Sequence, residues 1–477
     1  MPPTAPAPDP DGRGDASSSG SLWTRWRDHD HTQGSLLSSI LVLAVPSILT
    51  SVAAMGLFQM VDLYFLGQLG PESLAAAGAT NQTLRQIIFL LTMGLMTATQ
   101  MFVARSVGEG AIERAEHMAG QTLLMGTVVW LVVTLLGLFA AEPLVSLVAT
   151  DPTVIELGTS YVRIAFPFLA TAIFVQLGTA VLSGAGDTTT PMIASFVQAP
   201  LALVFEWALA FGHFGLPAMG IDGIALGTGI GGLAGLVVLL SALFRGGARV
   251  HLRARHLRPD PAAMATLLRF SWQPALHMLA RSTIVVFFMS LAGRLGGEVQ
   301  AAYTIGLRIE MLPIMVAFPI ANACATMVGQ NLGAGSVSRA WRSIRVSFAV
   351  ELAAMWPAAI AIFLLRHTLV DLFTEDPEVA RLAAEYLVYS SIILGFYGLY
   401  FASFRSLQAA GDMNSPMIIS ITVAATLGIP LALYLTRTDF GATGMWIANL
   451  AYALVNAILM IGWLLSGRWT RRHRPPS

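Results

Sequence analysis

Three observations predict an all-α membrane protein with twelve transmembrane helices in two six-helix lobes, related by a pseudo-twofold axis along the membrane normal. The first is composition. Of 477 residues, 55% are apolar and only 11% charged, against roughly 25% charged in a soluble domain. The second is spacing: the charge is confined to short segments between apolar runs, each near the ~20 residues that cross a bilayer as a helix. The third is repetition. Val103-Ala-Arg-Ser-Val-Gly-Glu-Gly-Ala-Ile-Glu-Arg-Ala115 aligns without a gap on Val328-Gly-Gln-Asn-Leu-Gly-Ala-Gly-Ser-Val-Ser-Arg-Ala340.

At the same offset, Asp151-Pro152 and Tyr161 fall on Asp376-Pro377 and Tyr386, while Gly186-Asp187, Pro191 and Met192 fall on Gly411-Asp412, Pro416 and Met417. Matches at turns and helix ends mark a duplicated unit. Repeats in a membrane protein point to a secondary transporter whose substrate site lies between the halves.

Taken in order, residues 1–34 are rich in Pro, Asp, Gly and Ser and predict a disordered tail. Within it, Asp28-His-Asp-His31 reads as a solvated cluster rather than a metal site. Residues 35–244 form the N-lobe, with spans expected at 36–66, 79–104, 117–140, 155–183, 190–213 and 221–244. Residues 245–262 form a basic linker, read equally as a surface helix on anionic headgroups or a plain connector. Residues 263–466 form the C-lobe, with spans at 266–292, 301–330, 344–365, 381–408, 415–435 and 444–466, and 467–477 is a basic tail. Six is even, so each half starts and ends on one side and the repeats are parallel. The arginines of both tails, of the linker, and Arg105, Arg114 and Arg339 to Arg345 fall on that side. The positive-inside rule then predicts cytoplasmic termini in a plasma, or inner, membrane.

All 27 basic residues are Arg. The absence of lysine excludes a P-loop NTPase, a retinal Schiff base and a pyridoxal enzyme, so an ion gradient or a partner protein must supply the energy. The single cysteine, Cys324, lies inside the eighth span and reads as a buried structural thiol. No His-Glu-x-x-His, Asp-rich diphosphate motif or serine nucleophile elbow is present, which argues against an intramembrane enzyme. The expected partners are small amphipathic or cationic molecules and the bilayer, not nucleic acid. The chain is expected to be a monomer, with no cofactor beyond a coupling ion.

Ionisable groups inside spans are costly and mark function. Asp62 is the carboxylate of the first span, and Glu206 is read as lying mid-span in the fifth; the matching stretch Leu427 to Leu431 of the second half has no acid. Arg308 and Glu310 in the eighth span, Glu351 in the ninth, Arg85 in the second, and His277 with Arg281 in the seventh are expected to neutralise one another as interhelical pairs. Tyr397, Tyr400, Phe401 and Phe404 make an i, i+3, i+4, i+7 stripe on the tenth span. Such a stripe could hold an organic cation on its ring faces or simply pack. Gln82, Arg308 and Glu310 complete the candidate substrate cavity, and Pro46 and Pro274 the candidate hinges. Gly223, Gly227, Gly231 and Gly235 recur every four residues on the sixth span and predict a close-packing face.

The span from Pro46 to Asp62, the Gly-Gln-Asn-Leu-Gly-Ala-Gly run at 329–335 with its echo at 104–110, Arg308-Ile-Glu310 and the two Gly-Asp-x-x-x-Pro turns resemble the multidrug and toxic compound extrusion (MATE) transporters over residues 36–466. The resemblance implies two lobes forming a V and export of amphipathic or cationic compounds in exchange for H⁺ or Na⁺. It implies ion-coupling roles for Asp62, Glu206 and Tyr161. The family's Asn-x-x-x-Asp pattern reads here Ala202-x-x-x-Glu206, which removes one oxygen ligand for Na⁺ and favours H⁺. The acids that NorM-type members place on helices seven and ten have no counterpart at Arg281 or Ser282, nor between Glu385 and Asp412. The alternative reading is a lipid-linked saccharide flippase of the same superfamily, with His277, Arg281 and Arg308 in a basic cavity.

Overall fold

A computed structural model describes residues 31–53, 58–146, 151–245 and 249–473. The parts of the expected tail, first span and linker at 1–30, 54–57 and 246–248 lie outside the described residues. The chain builds twelve spans. The first is formed by two helices, Leu36–Ser51 and Gln59–Gln68. The others are Pro71–Gly108, Ile112–Phe139, Pro152–Ala185, Thr189–Phe211, Ile221–Phe244, Pro261–Leu295, Gly297–Gly333, Val337–Asp371, Pro377–Ala409, a segment from Asn414 to Leu435 with a π-turn at Ala424–Gly428, and Gly441–Leu465. Most run several residues past the expected limits, because the amphipathic ends that hydropathy discards stay helical outside the apolar layer.

The duplication is visible in the caps. Asp151 accepts the amides of Thr153 and Val154 at 2.8 and 3.2 Å, and Asp376 those of Glu378 and Val379 at 2.9 and 3.1 Å. Each therefore satisfies orphan donors at the start of the fourth or tenth span. Asp187 and Asp412 do the same for the fifth and eleventh, after Gly186 and Gly411 turn the chain at positive φ (95° and 85°).

The repeated glycine motif is where the two halves meet. A Cβ at Gly108 would strike the carbonyl of Gln330, and a Cβ at Gly333 would strike that of Arg105. Residues 105 and 108 are the repeat equivalents of 330 and 333. The contact is thus self-complementary, as twofold symmetry requires. Ala104 meets its own equivalent, Gly329, where a Cβ would lie 2.8 Å away, so the axis passes between them. Around it, Gln100 donates to Thr326 (3.0 Å), Thr326 to the Ser183 carbonyl (2.9 Å) and Gln330 to the Gly184 carbonyl (3.0 Å). All these bridges lie toward the end that carries His31 and the Arg468–His473 turn. At the other end the packed clusters stay within one lobe: Leu66, Tyr161, Ala210 and Ile224 in the first, Tyr303, Tyr386 and Trp446 in the second.

Spans 1 and 7 straddle the lobes. Ile40, Leu43 and Ala44 pack on Ile320, Ala323 and Met327 of the eighth span, whereas Leu66 packs in the N-lobe. Conversely, Leu267 joins the N-lobe core and Phe288 the C-lobe core.

Several expectations change. His31 is fully buried, with its Nε2 3.3 Å from the Gly186 carbonyl, and Arg339 donates to the carbonyls of Gln33 and Gly34. The end of the tail is thus docked on both repeats rather than free. The linker is clamped to the third span: Gln121 donates to the carbonyls of His256 and Arg258 and accepts the amide of Asp260, His117 pairs with Asp260 at 2.9 Å, and Glu116 accepts the amide of His251. Composition cannot show this, because the clamp is made largely by backbone groups of the linker.

Candidate functional site

The structure gathers the three expected ion-coupling residues into one end of the N-lobe. Asp62 stands in the first turn of Gln59–Gln68 and is half-buried. One turn later, Leu66 packs with Tyr161 and Ala210, and Phe65 meets the Phe211 ring edge-on at 6.0 Å. Tyr161 is buried near the start of the fourth span. Glu206 lies one turn before Ala210 and is 0% exposed, near the end of its helix rather than mid-span as the sequence suggests.

Glu206 is placed by the glycine stripe. Cβ atoms added at Gly223, Gly227, Gly231 and Gly235 would meet, in turn, Leu209, Glu206, Ala202 and Gln198, so the fifth and sixth spans approach to backbone contact at the first three glycines and pack on the Gln198 side chain at the fourth. That close approach brings the Thr228 hydroxyl to Glu206 Oε1, donating at 2.7 Å. It also explains Ala202. This residue is fully buried against Gly231, where an amide side chain would have no room.

The expected C-lobe substrate residues behave differently. Tyr400, Phe401 and Phe404 are 3%, 1% and 3% exposed and belong to the C-lobe core, with Tyr397 packed against it. The cation over these rings is the chain's own: the Arg281 guanidinium lies 5.8, 5.7 and 5.1 Å from the centroids of Tyr397, Tyr400 and Phe401. The stripe is therefore a packed wall around a resident arginine. His277 has no acid among its hydrogen-bond partners in the described residues. Its Nε2 lies 3.0 Å from both Tyr400 OH and Ser420 Oγ. Glu310 is buried and accepts from Tyr386 OH at 2.5 Å, while Arg308, two residues away, is exposed. Residues two apart on a helix do not face each other, which separates that pair. The side chains of Gln82 and Arg85 lie outside the described residues.

Both expected hinge prolines lie inside helices. Pro46 removes the amide that would bond the Val42 carbonyl, but that carbonyl accepts from Thr188 Oγ1 at 3.3 Å, across to the Gly-Asp turn. The described part of the helix Leu36–Ser51 passes into π geometry at Val52 and Ala53, and Phe58, just before Gln59–Gln68, has the same geometry. Pro274 lies inside the unbroken helix Pro261–Leu295.

One residue escaped the sequence reading. Arg405, 3% exposed on the tenth span, donates to Thr97 (3.3 Å), to Gln408 (2.9 Å) and to Gln100, with Thr97 and Gln100 on the second span. It ties the lobes together beside a small cavity bounded by Met101, Ala325 and Ala409. An arginine inside an apolar span was itself the available signal.

A single family model, MatE, matches the chain twice, at residues 46–208 and 274–434, in keeping with the duplicated unit. The chain is 27% identical over 435 residues to "Probable multidrug resistance protein NorM" of Thermotoga maritima, covering 91% of this chain and 93% of the relative. It is 28% identical over 449 residues to "Multidrug resistance protein PmpM" of Pseudomonas aeruginosa, covering 89% and 90%. A crystal structure described as MATE in the bent conformation shares the fold, with TM-score 0.84 and 22% identity over 94% of this chain and 97% of that one. With the two matched repeats, the twelve spans and the self-complementary seal all in place, the chain belongs to the MATE (MatE) family of membrane transporters.

Proposed function

We propose that this chain exports amphipathic or cationic organic compounds by alternating access in exchange for a cation, with H⁺ rather than Na⁺ as the coupling ion. The observation that carries the reading is the N-lobe acid pair. Glu206 is fully buried with a hydroxyl on one oxygen, and the side of its helix that would offer a further ligand, at Ala202, is closed by Gly231. Na⁺ needs several oxygens, whereas a proton needs one desolvated carboxylate. The multidrug names of the relatives support the substrate class.

In the proposed cycle, the lobes part at the end opposite the termini, which the arginine distribution assigns to the outside. Protonation of Asp62 or Glu206 removes a charge that attracts a cationic compound. The Gln59–Gln68 half of span 1 repacks relative to the Leu36–Ser51 half, and the compound leaves. Return to the other state requires parting of the seal around Ala104 and Gly329, and the ion drives this only through different affinities for the two states. The flippase reading loses support, because His277 and Arg281 are engaged inside the C-lobe core.

The test is efflux of ethidium from proteoliposomes. A pH gradient alone is expected to drive it. Robust efflux under a Na⁺ gradient, with the pH difference and the membrane potential both held at zero and saturating with Na⁺, would reassign Asp62 and Glu206 as metal ligands.

A further inference from the structure

We propose that Glu351 is a further proton-binding carboxyl, housed in the C-lobe; this rests on the reading of the chain as a proton-coupled exporter. The sequence reading expected Glu351 to be neutralised by an interhelical pair. Instead it is 0% exposed, and neither carboxylate oxygen has a hydrogen-bond partner among the described residues. An isolated ionised carboxylate in an apolar interior is prohibitively costly, so the occupant that suits this position is a proton.

The place is built for an acid. A Cβ at Gly398, on the tenth span, would lie 2.7 Å from Glu351 Oε2, so the glycine makes the space that the carboxyl fills. The repeat equivalents are instructive: Glu351 corresponds to Gly126 and Gly398 to Ile173. In the N-lobe the same spot is filled by Leu177, Phe174 and Ile173 packed toward Gly126. Large and small residues have exchanged sides between the lobes, and only the C-lobe version carries an ionisable group. The surroundings hold no counter-charge among the described residues. The eighth span presents the Cys324 thiol, the tenth presents Gly398, and the ninth itself adds Met355.

The position also has a link to the lobe seal. Cys324 Sγ lies 3.3 Å from Ser406 Oγ, and the neighbouring Arg405 bonds Gln100 and Thr97 of the N-lobe. A proton arriving at Glu351 changes what lies between the ninth and tenth spans, directly behind the helix that carries the bridging arginine.

The experiment uses the full chain reconstituted in liposomes. Infrared difference spectra across pH steps are expected to contain a buried carboxyl C=O band that is present in the wild type and in Glu206→Gln and absent in Glu351→Gln. Ethidium efflux under a pH gradient is expected to fall severalfold in folded Glu351→Gln, with fewer protons exchanged per substrate. Gly398→Ala, which crowds Oε2, is expected to move the band and its titration midpoint, and serves should Glu351→Gln not fold. Wild-type efflux and proton stoichiometry in Glu351→Gln, or an unchanged infrared spectrum in the variant that folds, overturns the inference. Lack of pH-driven efflux in the wild type sinks instead the proton-coupled reading, whatever the band does.

Discussion

The two lobes descend from one unit, yet they bury their acids at different positions and against different hydroxyls. In the N-lobe, Asp62 is half-buried beside the Tyr161 cluster and Glu206 receives a hydroxyl from Thr228. In the C-lobe, Tyr386, the repeat equivalent of Tyr161, is itself the donor to Glu310, and the neighbouring aromatic wall is closed by Arg281. The difference teaches that duplication preserves what holds the halves together and releases what lines them. Caps, turns and the glycine seal occur twice; no acid at membrane depth does.

The sharpest way to break this comparison is Asp62→Asn, which is expected to reduce coupled efflux to background while leaving the protein folded and inserted. Wild-type efflux by a well-expressed variant would remove the N-lobe from the ion site. Glu206→Gln is expected to weaken transport less completely, and Thr228→Val, which strips its hydroxyl, to lower stability by about 1 kcal/mol and to alter the pH dependence of efflux.

Next come the seals. Gly108→Ala and Gly333→Ala each force a methyl into the other repeat's backbone, and overpacking of this kind costs about 1–3 kcal/mol. Symmetry predicts similar losses in thermal stability from the two. A strong inequality would show that the lobes meet less evenly than their glycines suggest. In the C-lobe, Tyr386→Phe leaves the buried Glu310 without its phenol donor and is expected to cost about 1–3 kcal/mol in a melt. An unchanged melt would mean that Glu310 finds another partner.

The smallest expected effect lies outside the membrane. A hydrogen bond from His256, helped by the Arg255 charge, holds the Glu113 carboxyl below the usual carboxylate range, and His117 does the same for Asp260. A depressed carboxyl stabilises the folded clamp above its ordinary pKa and loses that contribution as pH falls through the lowered value. Hydrogen-exchange protection of the linker amides from His251 to Asp260, measured relative to their intrinsic exchange rates at each pH, is therefore expected to be high near neutrality and to be lost only in the acid range below pH ~4. A loss of protection as pH rises from 6 to 7 would instead assign the clamp to histidine charge. Glu113 and His256, with Glu116, have ligand-type atoms within 4.8 Å of one another. His256 Nδ1 accepts the Arg253 amide at 3.2 Å, while its Nε2 lies 3.0 Å from Glu113 Oε1 and 3.1 Å from Arg255 Nε, so the imidazole joins the linker to the third span.

Much of this was legible in the sequence. Hydropathy and the repeat offset determined twelve spans and a parallel duplication, because a bilayer demands helices of fixed apolar length and a duplicated chain keeps its turn chemistry. The glycine stripe announced a close helix contact, since only small residues let backbones touch. Asp62 and Glu206 were readable as acids where charge is costly.

What only the tertiary structure decided was partnership. Sequence could not tell that Arg281 lies on the aromatic stripe, that Arg405 spans the lobes, or that Glu351 faces a glycine instead of an arginine. Each depends on which faces of two helices, often more than a hundred residues apart, are rotated toward one another. Burial gives a charged group its cost, but the identity of the neighbour across the helix interface decides whether that cost is relieved by a pair, a ring, a hydroxyl or a proton.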